Sequence, residues 1–262
     1  MTSRSFITPG LTSRTVITAR RHVWLGFNQL IMEMPQPNHG KELIIQVDGE
    51  YYARYPVKTH IVKPGEDLKE IVQRYAMPLA RAGDLVFISE KMVAITQGRA
   101  VPLDSIRPSA LAKWVVKYVY KNPAGLGIAT PWTMQMVIDE AGLLRFFMAS
   151  AVAVLTKPLG MRGMFYRVIG QRAKAIDGPI PHAMPPYNEY VTLSPLHADV
   201  EARKLHEAIG HEVVIIDAND LGVETLGKSS KVSEEFARKV FRDNPLGQSR
   251  EQTPLCLVRR VD

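Results

Sequence analysis

Residues 63–99 constrain the fold of this chain more than any other stretch of the sequence. They contain an acidic turn at Gly65-Glu66-Asp67, which precedes a predicted helix over residues 68–76. Branched apolar residues then predict two strands, one over residues 84–89 and the other over residues 92–97. Because a helix and two strands follow one another so closely, this segment predicts a fold that mixes helices with strands.

The rest of the chain supplies more elements of both kinds. Polar caps and glycine stops predict helices that begin at Ser109, Thr130, Ser194 and Ser233, the first running to Lys121 and the next two ending at Gly142 and Gly210. Further strands are predicted over residues 42–47, 151–155, 213–216 and 255–259. Strands joined by short turns beside long helices favour an α+β fold, with mixed and partly antiparallel sheets and flanking helices.

The composition is that of a globular protein with a single cysteine. A chain of 262 residues, 46% hydrophobic and 23% charged, can bury one large core or two small ones. Cys256 cannot form an internal disulfide, and its apolar neighbours predict a buried strand position. The longest apolar run, residues 143–155, is too short to cross a bilayer. We therefore expect a cytoplasmic protein.

The net charge of +7 is unevenly distributed along the chain. No Asp or Glu occurs from Phe146 to Ile176, a stretch that carries Lys157, Arg162, Arg167, Arg172 and Lys174. Such a cluster favours phosphates or polycarboxylates, so the last four of these cations are candidates for binding an acidic substrate. A solvated surface or a subunit contact is the alternative interpretation.

Acidic and amide side chains follow the predicted strand over residues 213–216. They are Asp217, Asn219 and Asp220, and oxygen ligands clustered at a strand end suit a hard cation such as magnesium or manganese. The alternative is an Asx-type turn that caps the strand. Asp177, which precedes Gly178, is another acidic candidate, although the Asp-Gly pair by itself predicts only a turn.

Gly222, Gly227, Lys228 and Ser229 match the GxxxxGK[ST] pattern of phosphate-binding loops. In a P-loop the glycine-rich turn directly follows a strand, whereas five residues separate Ile216 from Gly222 here. The spacing therefore argues against a P-loop fold. It leaves open that Gly222 and Lys228 contact a phosphate within another fold.

Several of these segments resemble the coenzyme F-420 gamma-glutamyl ligase family (coenzyme F-420-0:L-glutamate ligase). Its members carry a "KPGDDL" turn and a "GDxLVxxSKxVxxxxGR" segment, similar to residues 63–99 of this chain. The resemblance begins near Tyr55 and continues, with gaps, to the end. It predicts an N-terminal extension over residues 1–50 and a ligase domain over residues 51–262, and it implies an intertwined mixed fold and a homodimer.

The same resemblance implies a chemistry. Members of the family use GTP to add L-glutamate to the carboxylate of a deazaflavin coenzyme through an acyl phosphate, with magnesium or manganese. Asp177 is similar to the Asp of the family's "ANAGVDxSN" segment. Asp217 or Asn219, depending on the alignment, is similar to the Asp of "VIITDTFGR". Metal ligands are therefore expected among Asp177, Asp217 and Asp220, and nucleotide contacts at Glu66, Asp67, Ser89, Lys91, Asn219, Gly222 and Lys228.

Two departures from the family pattern leave other functions open. Gly178-Pro179 stands where the family has Ser-Asn, and Glu90 interrupts its Ser-Lys pair. A divergent ligase for another acid is one alternative, and a basic nucleotide- or nucleic-acid-binding protein is another. No zinc-finger, helix-turn-helix or RNP pattern supports the latter. We expect a small acidic molecule, L-glutamate and a second copy of the chain as partners, but neither a membrane nor a nucleic acid.

Overall fold

The computed structural model describes residues 33–119, 129–161, 163–219, 222–229 and 231–261, and every element below lies within residues 35–262. The strands are β1 (Ile44–Val47), β2 (Glu50–Val57), β3 (Leu85–Ser89), β4 (Ala100–Pro102), β5 (Tyr190–Thr192), β6 (Glu212–Asn219), β7 (Gly222–Lys228) and β8 (Leu255–Val261). The α-helices are α1 (Leu68–Tyr75), α2 (Glu90–Thr96), α3 (Ala110–Val115), α4 (Pro131–Ala141), α5 (Leu143–Thr156), α6 (Met164–Ile169), α7 (Gln171–Lys174), α8 (Ala198–Ile209) and α9 (Glu234–Val240). Short 3-10 helices cover Leu103–Ser105, Val116–Tyr118, Lys157–Leu159 and Tyr187–Glu189.

A mixed six-stranded sheet, in the order β1-β2-β8-β3-β6-β7, forms the centre of the fold. Strands β3 and β6 are parallel, whereas the other neighbouring pairs are antiparallel. A second sheet pairs β4 with β5 in antiparallel register. The predicted α+β fold with mixed, partly antiparallel sheets is therefore confirmed. Strand β1 falls within the first fifty residues and is an edge of the large sheet.

Both faces of the large sheet are covered, which explains why its central strands are almost wholly apolar. On one face, Val86, Ile88 and Val213 pack in a core that includes residues of α1, α2 and α8. On the other, Phe87 stacks on Phe241 beside α9, with ring centroids 4.3 Å apart. A separate core joins α3 to α7 with β4 and β5.

Among the described residues, Arg54 and Asp84 are buried charged side chains of the large sheet that face oppositely charged partners. Arg54 of β2 is fully buried, and its guanidinium bonds to the Asp243 carboxylate and to the carbonyls of Glu42 and Val240. Asp84, just before β3, accepts two hydrogen bonds from Arg259 of β8, at 2.8 and 2.6 Å. These ion pairs fix how β2, β3 and β8 sit against their neighbouring loops.

Several of the predicted helix and strand signals are confirmed. Thr130 and Thr133 form a capping box at the start of α4, and Gly142 ends that helix with a φ of 77°. Gly210 ends α8 in the left-handed region, and Ser233 caps α9 by accepting from the Phe236 amide. Cys256 is fully buried in β8, and burial raises the pKa of its thiol.

Two predicted strands are wrong. Residues 92–97 lie in and just after α2, and residues 151–155 belong to α5. In α2 the residues from Met92 to Ile95 are all buried, and a short apolar run that is covered on every side has no periodicity to separate helix from strand. In α5 the branched residues predicted a strand, although they alternate with alanine, which is the best helix former.

Two helix boundaries also differ from the predictions. The helix predicted from Ser194 begins only at Ala198, after His197 adopts a left-handed φ of 50°. The helix capped by Ser109 ends at Val115 and continues as one 3-10 turn, and Lys121 lies outside the described residues. In the described part of the chain, no helix is both long and apolar enough to cross a membrane.

Candidate active site

The parallel strands β3 and β6 end side by side, with Ser89 paired to Ile216. Helix α2 begins at Glu90 immediately after β3, while β6 continues through Asp217 to Asn219. Both strand ends open onto a cavity of about 290 Å³. Parallel strands commonly place ligand-binding residues at their carboxyl ends, because successive loops converge there.

Asp177 reaches the same cavity from a different part of the fold. Its backbone forms an isolated bridge with Thr192 of β5, through two N–H···O bonds of 2.9 Å. Its carboxylate lies 2.9 Å from the ammonium of Lys91 on α2. The cavity thus unites residues carried by the large sheet with one held against the small sheet.

Glu90 is the least exposed charged side chain at this site. It is 7% exposed, and its Oε2 atom has no hydrogen-bond partner among the described residues. Burial, followed by the negative charges of Asp217 and Asp177, raises its pKa well above the usual range. A buried carboxyl group without full compensation is costly, so a residue of this kind is characteristic of a functional site.

The pKa of Asp217 is raised for similar reasons. Burial is the main reason that its pKa rises to about 6, and the nearby Asp177 carboxylate adds to the effect. Asn219 opposes the shift by donating from Nδ2 to both carboxylate oxygens, at 3.2 and 3.3 Å. Glu224 of β7 is the cross-strand partner of Asp217 and contributes further negative charge.

Lys91 is the cation at the centre of this acidic group. Burial alone would lower its pKa, but the charge of Asp177 and the hydrogen bond to it raise the pKa instead, with help from Glu90 and Asp217. One ammonium therefore faces several carboxyl groups, and negative charge is in excess. Such a site attracts a cation of higher charge.

The donor set fits a divalent cation, although it does not form a closed cage. Carboxylate oxygens from Asp177, Asp217 and Glu90 are the ligands that magnesium and manganese prefer, and the Glu90 Oε2 atom needs a partner. Within the described ranges, however, no group of three or more Asp, Glu, His or Cys side chains is arranged to hold a metal ion. Asp220, the third predicted ligand, lies outside those ranges.

The predicted phosphate contacts divide into two groups. Ser89, Lys91 and Asn219 line the cavity, and Gly222 pairs with Asn219 at the start of β7. Lys228 lies at the other end of β7, opposite Val214, and outside the residues that line the cavity. Gly227 beside it packs so closely on α8 that an added Cβ would approach the Ala198 carbonyl carbon to 2.2 Å. The GxxxxGK[ST] match therefore lies on a packed strand.

The acidic turn before α1 has local partners. Asp67 caps α1 by accepting from the Lys69 amide at 2.8 Å. Glu66 accepts from the Lys63 amide and lies 2.9 Å from Nε2 of His60, a residue that lines the cavity. Glu66 thus supports one wall of the site through His60, whereas Asp67 stabilises the helix.

The predicted cationic contacts lie elsewhere. Arg167 on α6 is exposed, and Arg172 on α7 lines a second cavity with Arg145 and Glu140. Neither arginine lines the cavity at the strand ends. Arg162 and the side chain of Lys174 lie outside the described residues.

Sequence reasoning assigned no role to Glu90, which it treated only as a departure from a pattern. The signal was nevertheless present. A glutamate directly between the buried strand β3 and the apolar helix α2 has no solvent-facing position to occupy. A charged residue flanked by apolar runs at the end of a central strand is therefore a candidate for a buried site.

The fold and the site together define an α+β protein with a carboxylate-rich cavity at the ends of two parallel strands. The model of the F420-0:Gamma-glutamyl ligase family matches residues 56–225, which include Glu90, Lys91, Asp177 and Asp217. The chain belongs to this family. Membership supports a role as a glutamate ligase, a carbon–nitrogen ligase of F420 biosynthesis that acts on a small molecule and glutamate. No curated protein matches the chain.

Proposed function

We propose that this protein is a GTP-dependent γ-glutamyl ligase, which joins L-glutamate to the carboxylate of F420-0 or a related acidic substrate through an acyl phosphate. The observation that carries the proposal is the convergence of Lys91, Asp177 and Asp217 on one cavity, within the residues that match the family. A homodimer, a magnesium or manganese requirement, the domain boundary at residue 50 and a cytoplasmic location belong to the same proposal. They rest on the family resemblance and on the composition.

The reaction has two bond exchanges. A substrate carboxylate oxygen attacks the terminal phosphorus of GTP, which forms the acyl phosphate and releases GDP. The amine of glutamate then attacks the acyl carbon, so that the amide C–N bond forms, phosphate leaves and the amine loses a proton. Both reactants of the first exchange are anions, and their repulsion is the main barrier to overcome.

The side chains of the cavity would reduce this repulsion between the two anions. Lys91, which pairs with Asp177 in the free protein, offers its ammonium to a phosphate oxygen. Asn219 holds the carboxylate of Asp217 in a fixed orientation. Asp177 and Asp217 would hold a divalent ion, and the buried carboxyl group of Glu90 lies beside them. When bound, such an ion neutralises and aligns the phosphates.

Nucleotide-dependent thermal stabilisation tests the proposal. GTP and ATP, each with and without manganese, are added to the purified full chain. We expect a manganese-dependent increase in melting temperature that is larger with GTP. At about one hundred times Kd, a ligand stabilises the folded state by about 2.7 kcal/mol, which gives a measurable shift.

Three variants show whether the shift comes from this cavity. Asp177→Ala and Asp217→Ala should lose the manganese-dependent shift, because each removes an oxygen donor. Asp48→Asn is the matched control, since Asp48 lies in an exposed turn and pairs with Lys239. An equal shift in all three variants, or none in the unaltered protein, would contradict the site.

A ligase for a different acid is the second candidate. Residues 178–181 replace the Ser-Asn that follows the aspartate in the family pattern, and Ile180 and His182 line the cavity beside Asp177. These side chains give the wall a different chemistry. Phosphate release from GTP, measured with glutamate and a panel of carboxylic acids, separates the candidates. Activity restricted to F420-0 would exclude the second one.

A further inference from the structure

Helix α5 presents an apolar face to the solvent. Phe146 and Ala149 are buried, as expected of a helix that packs on a core. On the outward side, Leu144, Val154 and Leu155 are 77%, 70% and 72% exposed, and Phe147 and Met148 are about half exposed. Their spacing follows the helical repeat, so they form one continuous stripe, which we name the α5 face.

The apolar surface continues beyond the end of α5. Leu159, in the 3-10 turn that follows, is 75% exposed, and Met161 and Tyr166 are also exposed. Helix α6, which carries Tyr166, packs against α5 through the edge-to-face contact of Phe165 with Phe146. Single exposed apolar residues are ordinary, but a contiguous group of this kind marks an interaction surface.

The charge near the α5 face indicates which kind of partner it would bind. The sequence has no Asp or Glu from Phe146 to Ile176, and the exposed Lys157, directly after α5, and Arg167, on the adjoining helix α6, lie in that stretch. A second copy would offer the same cations and no carboxylate from this stretch to pair with them. A layer of anionic lipid headgroups above an apolar interior complements both the charge and the exposed side chains.

We propose that the α5 face lies in the plane of an anionic lipid surface. Its apolar side chains enter the boundary between headgroups and acyl chains, and Lys157 and Arg167 contact lipid phosphates. The 14 residues of α5 extend ~21 Å, less than the ~30 Å of a hydrocarbon core, which suits a helix that lies flat on the membrane. This proposal differs from the expectation, drawn from the sequence, that the protein has no membrane partner, and it does not depend on the ligase reaction.

Vesicle co-sedimentation tests this proposal with the full chain. Vesicles of phosphatidylcholine alone are compared with vesicles that also contain phosphatidylserine. We expect binding to the anionic vesicles, weakened by added salt, and little binding to the neutral ones. Equal binding to both, or binding to neither, would overturn the proposal.

Matched variants locate the contact. Leu144→Gln combined with Leu155→Gln should weaken binding to anionic vesicles about tenfold or more, because two apolar side chains no longer enter the lipid. Its melting temperature should be unchanged, since both side chains are exposed. Ile44→Gln, at an exposed apolar position on β1, is the control and should retain full binding. Lys157→Glu should weaken binding selectively to the anionic vesicles.

A second experiment tests whether another copy of the protein covers the α5 face instead. Light scattering of the unaltered protein, over a range of concentrations, reports whether it forms a dimer. A dimer that the Leu144→Gln, Leu155→Gln variant dissociates, in a protein that binds no vesicles, would show that a second copy covers the α5 face. That result would overturn the membrane proposal and leave the nucleotide-dependent shift untouched.

Discussion

The large sheet buries charge in two places, and the two places differ in how that charge is compensated. Around β2 and β8, Arg54 and Asp84 each face an oppositely charged partner and additional backbone groups. At the ends of β3 and β6, Glu90 and Asp217 face other carboxylates, and the pKa values of both rise. In the first place, Arg54 and Asp84 each form an ion pair. In the second place, the carboxyl groups outnumber the cations around them.

This difference separates residues that stabilise the fold from candidate ligand-binding residues. A buried ion pair with its hydrogen bonds in place resists change, because removal of one partner leaves the other charge uncompensated. A carboxylate cluster lowers the stability of the free protein, and that loss is recovered when a cation binds. Substitutions should therefore have opposite effects on stability in the two places.

The largest expected effect on stability comes from breaking the buried ion pair between Arg54 and Asp243. Asp243→Ala removes the carboxylate partner of Arg54, which is fully buried and already has an Nε atom without a partner. We expect a loss of about 3–5 kcal/mol in the free energy of unfolding, measured by urea denaturation.

The control for this loss is an exposed ion pair on the same sheet. The Nη2 atom of Arg260 lies 2.6 Å from the Oε2 atom of Glu50, but the two side chains are 60% and 47% exposed. Arg260→Ala should cost about 0–1 kcal/mol. If the two substitutions cost the same, burial would not be what makes the Arg54 pair important.

The second-largest expected effect is the contribution of Asp217 to the pH dependence of the free energy of unfolding. The pKa of Asp217 is about 6 in the folded protein, against an ordinary value of 3.8. Its stabilising contribution is therefore complete below about pH 3.8 and is lost as the pH rises through 6. The full change is about 3 kcal/mol as an upper value, because each pKa unit corresponds to about 1.4 kcal/mol.

Asp217→Asn isolates this contribution. The variant should be more stable than the unaltered protein at pH 7 without metal, and the difference should shrink as the pH falls below about 6. Urea denaturation at several pH values measures it. A difference that does not vary with pH would mean that Asp217 has an ordinary pKa.

Glu90→Gln has the smallest expected effect on stability. The amide fills nearly the same volume and cannot ionise, so stability of the metal-free protein at pH 7 should stay equal or rise by up to about 2 kcal/mol. Manganese binding, measured by titration calorimetry, should weaken. Glu189→Gln, an exposed glutamate in a 3-10 helix, should change neither quantity. A clear loss of stability in Glu90→Gln would contradict the charge imbalance.

The fold could be predicted from the sequence wherever local signals were strong. The Thr130 cap, the Gly142 stop and the branched residues of β6 and β8 specified their elements correctly. Short apolar runs such as residues 92–97 gave no such signal, since their environment in the core, and not their own periodicity, decides their conformation. The left-handed His197 that delays α8 likewise has no marker in the sequence.

The site was predicted in part for a related reason. Asp217 and Asn219 follow a recognisable strand, and both line the cavity. The meeting of Asp177 with Lys91 depends on a bridge between residues far apart in the chain, which no local pattern encodes. Lys228 satisfied a motif, yet the register of β7 places it at the opposite end of the strand from Asp217.

The attachment of Asp177 to Thr192 has a consequence for the dynamics of the protein. In the part of the chain that the structure describes, the small sheet consists of the β4–β5 pair, and two-stranded sheets are marginally stable on their own. Local opening of this sheet would withdraw Asp177, while Lys91 stays on α2 and Asp217 stays on the large sheet. The amide of Thr192 should therefore exchange its hydrogen faster than those of β3 and β6, and site integrity should fail on heating before the large sheet unfolds.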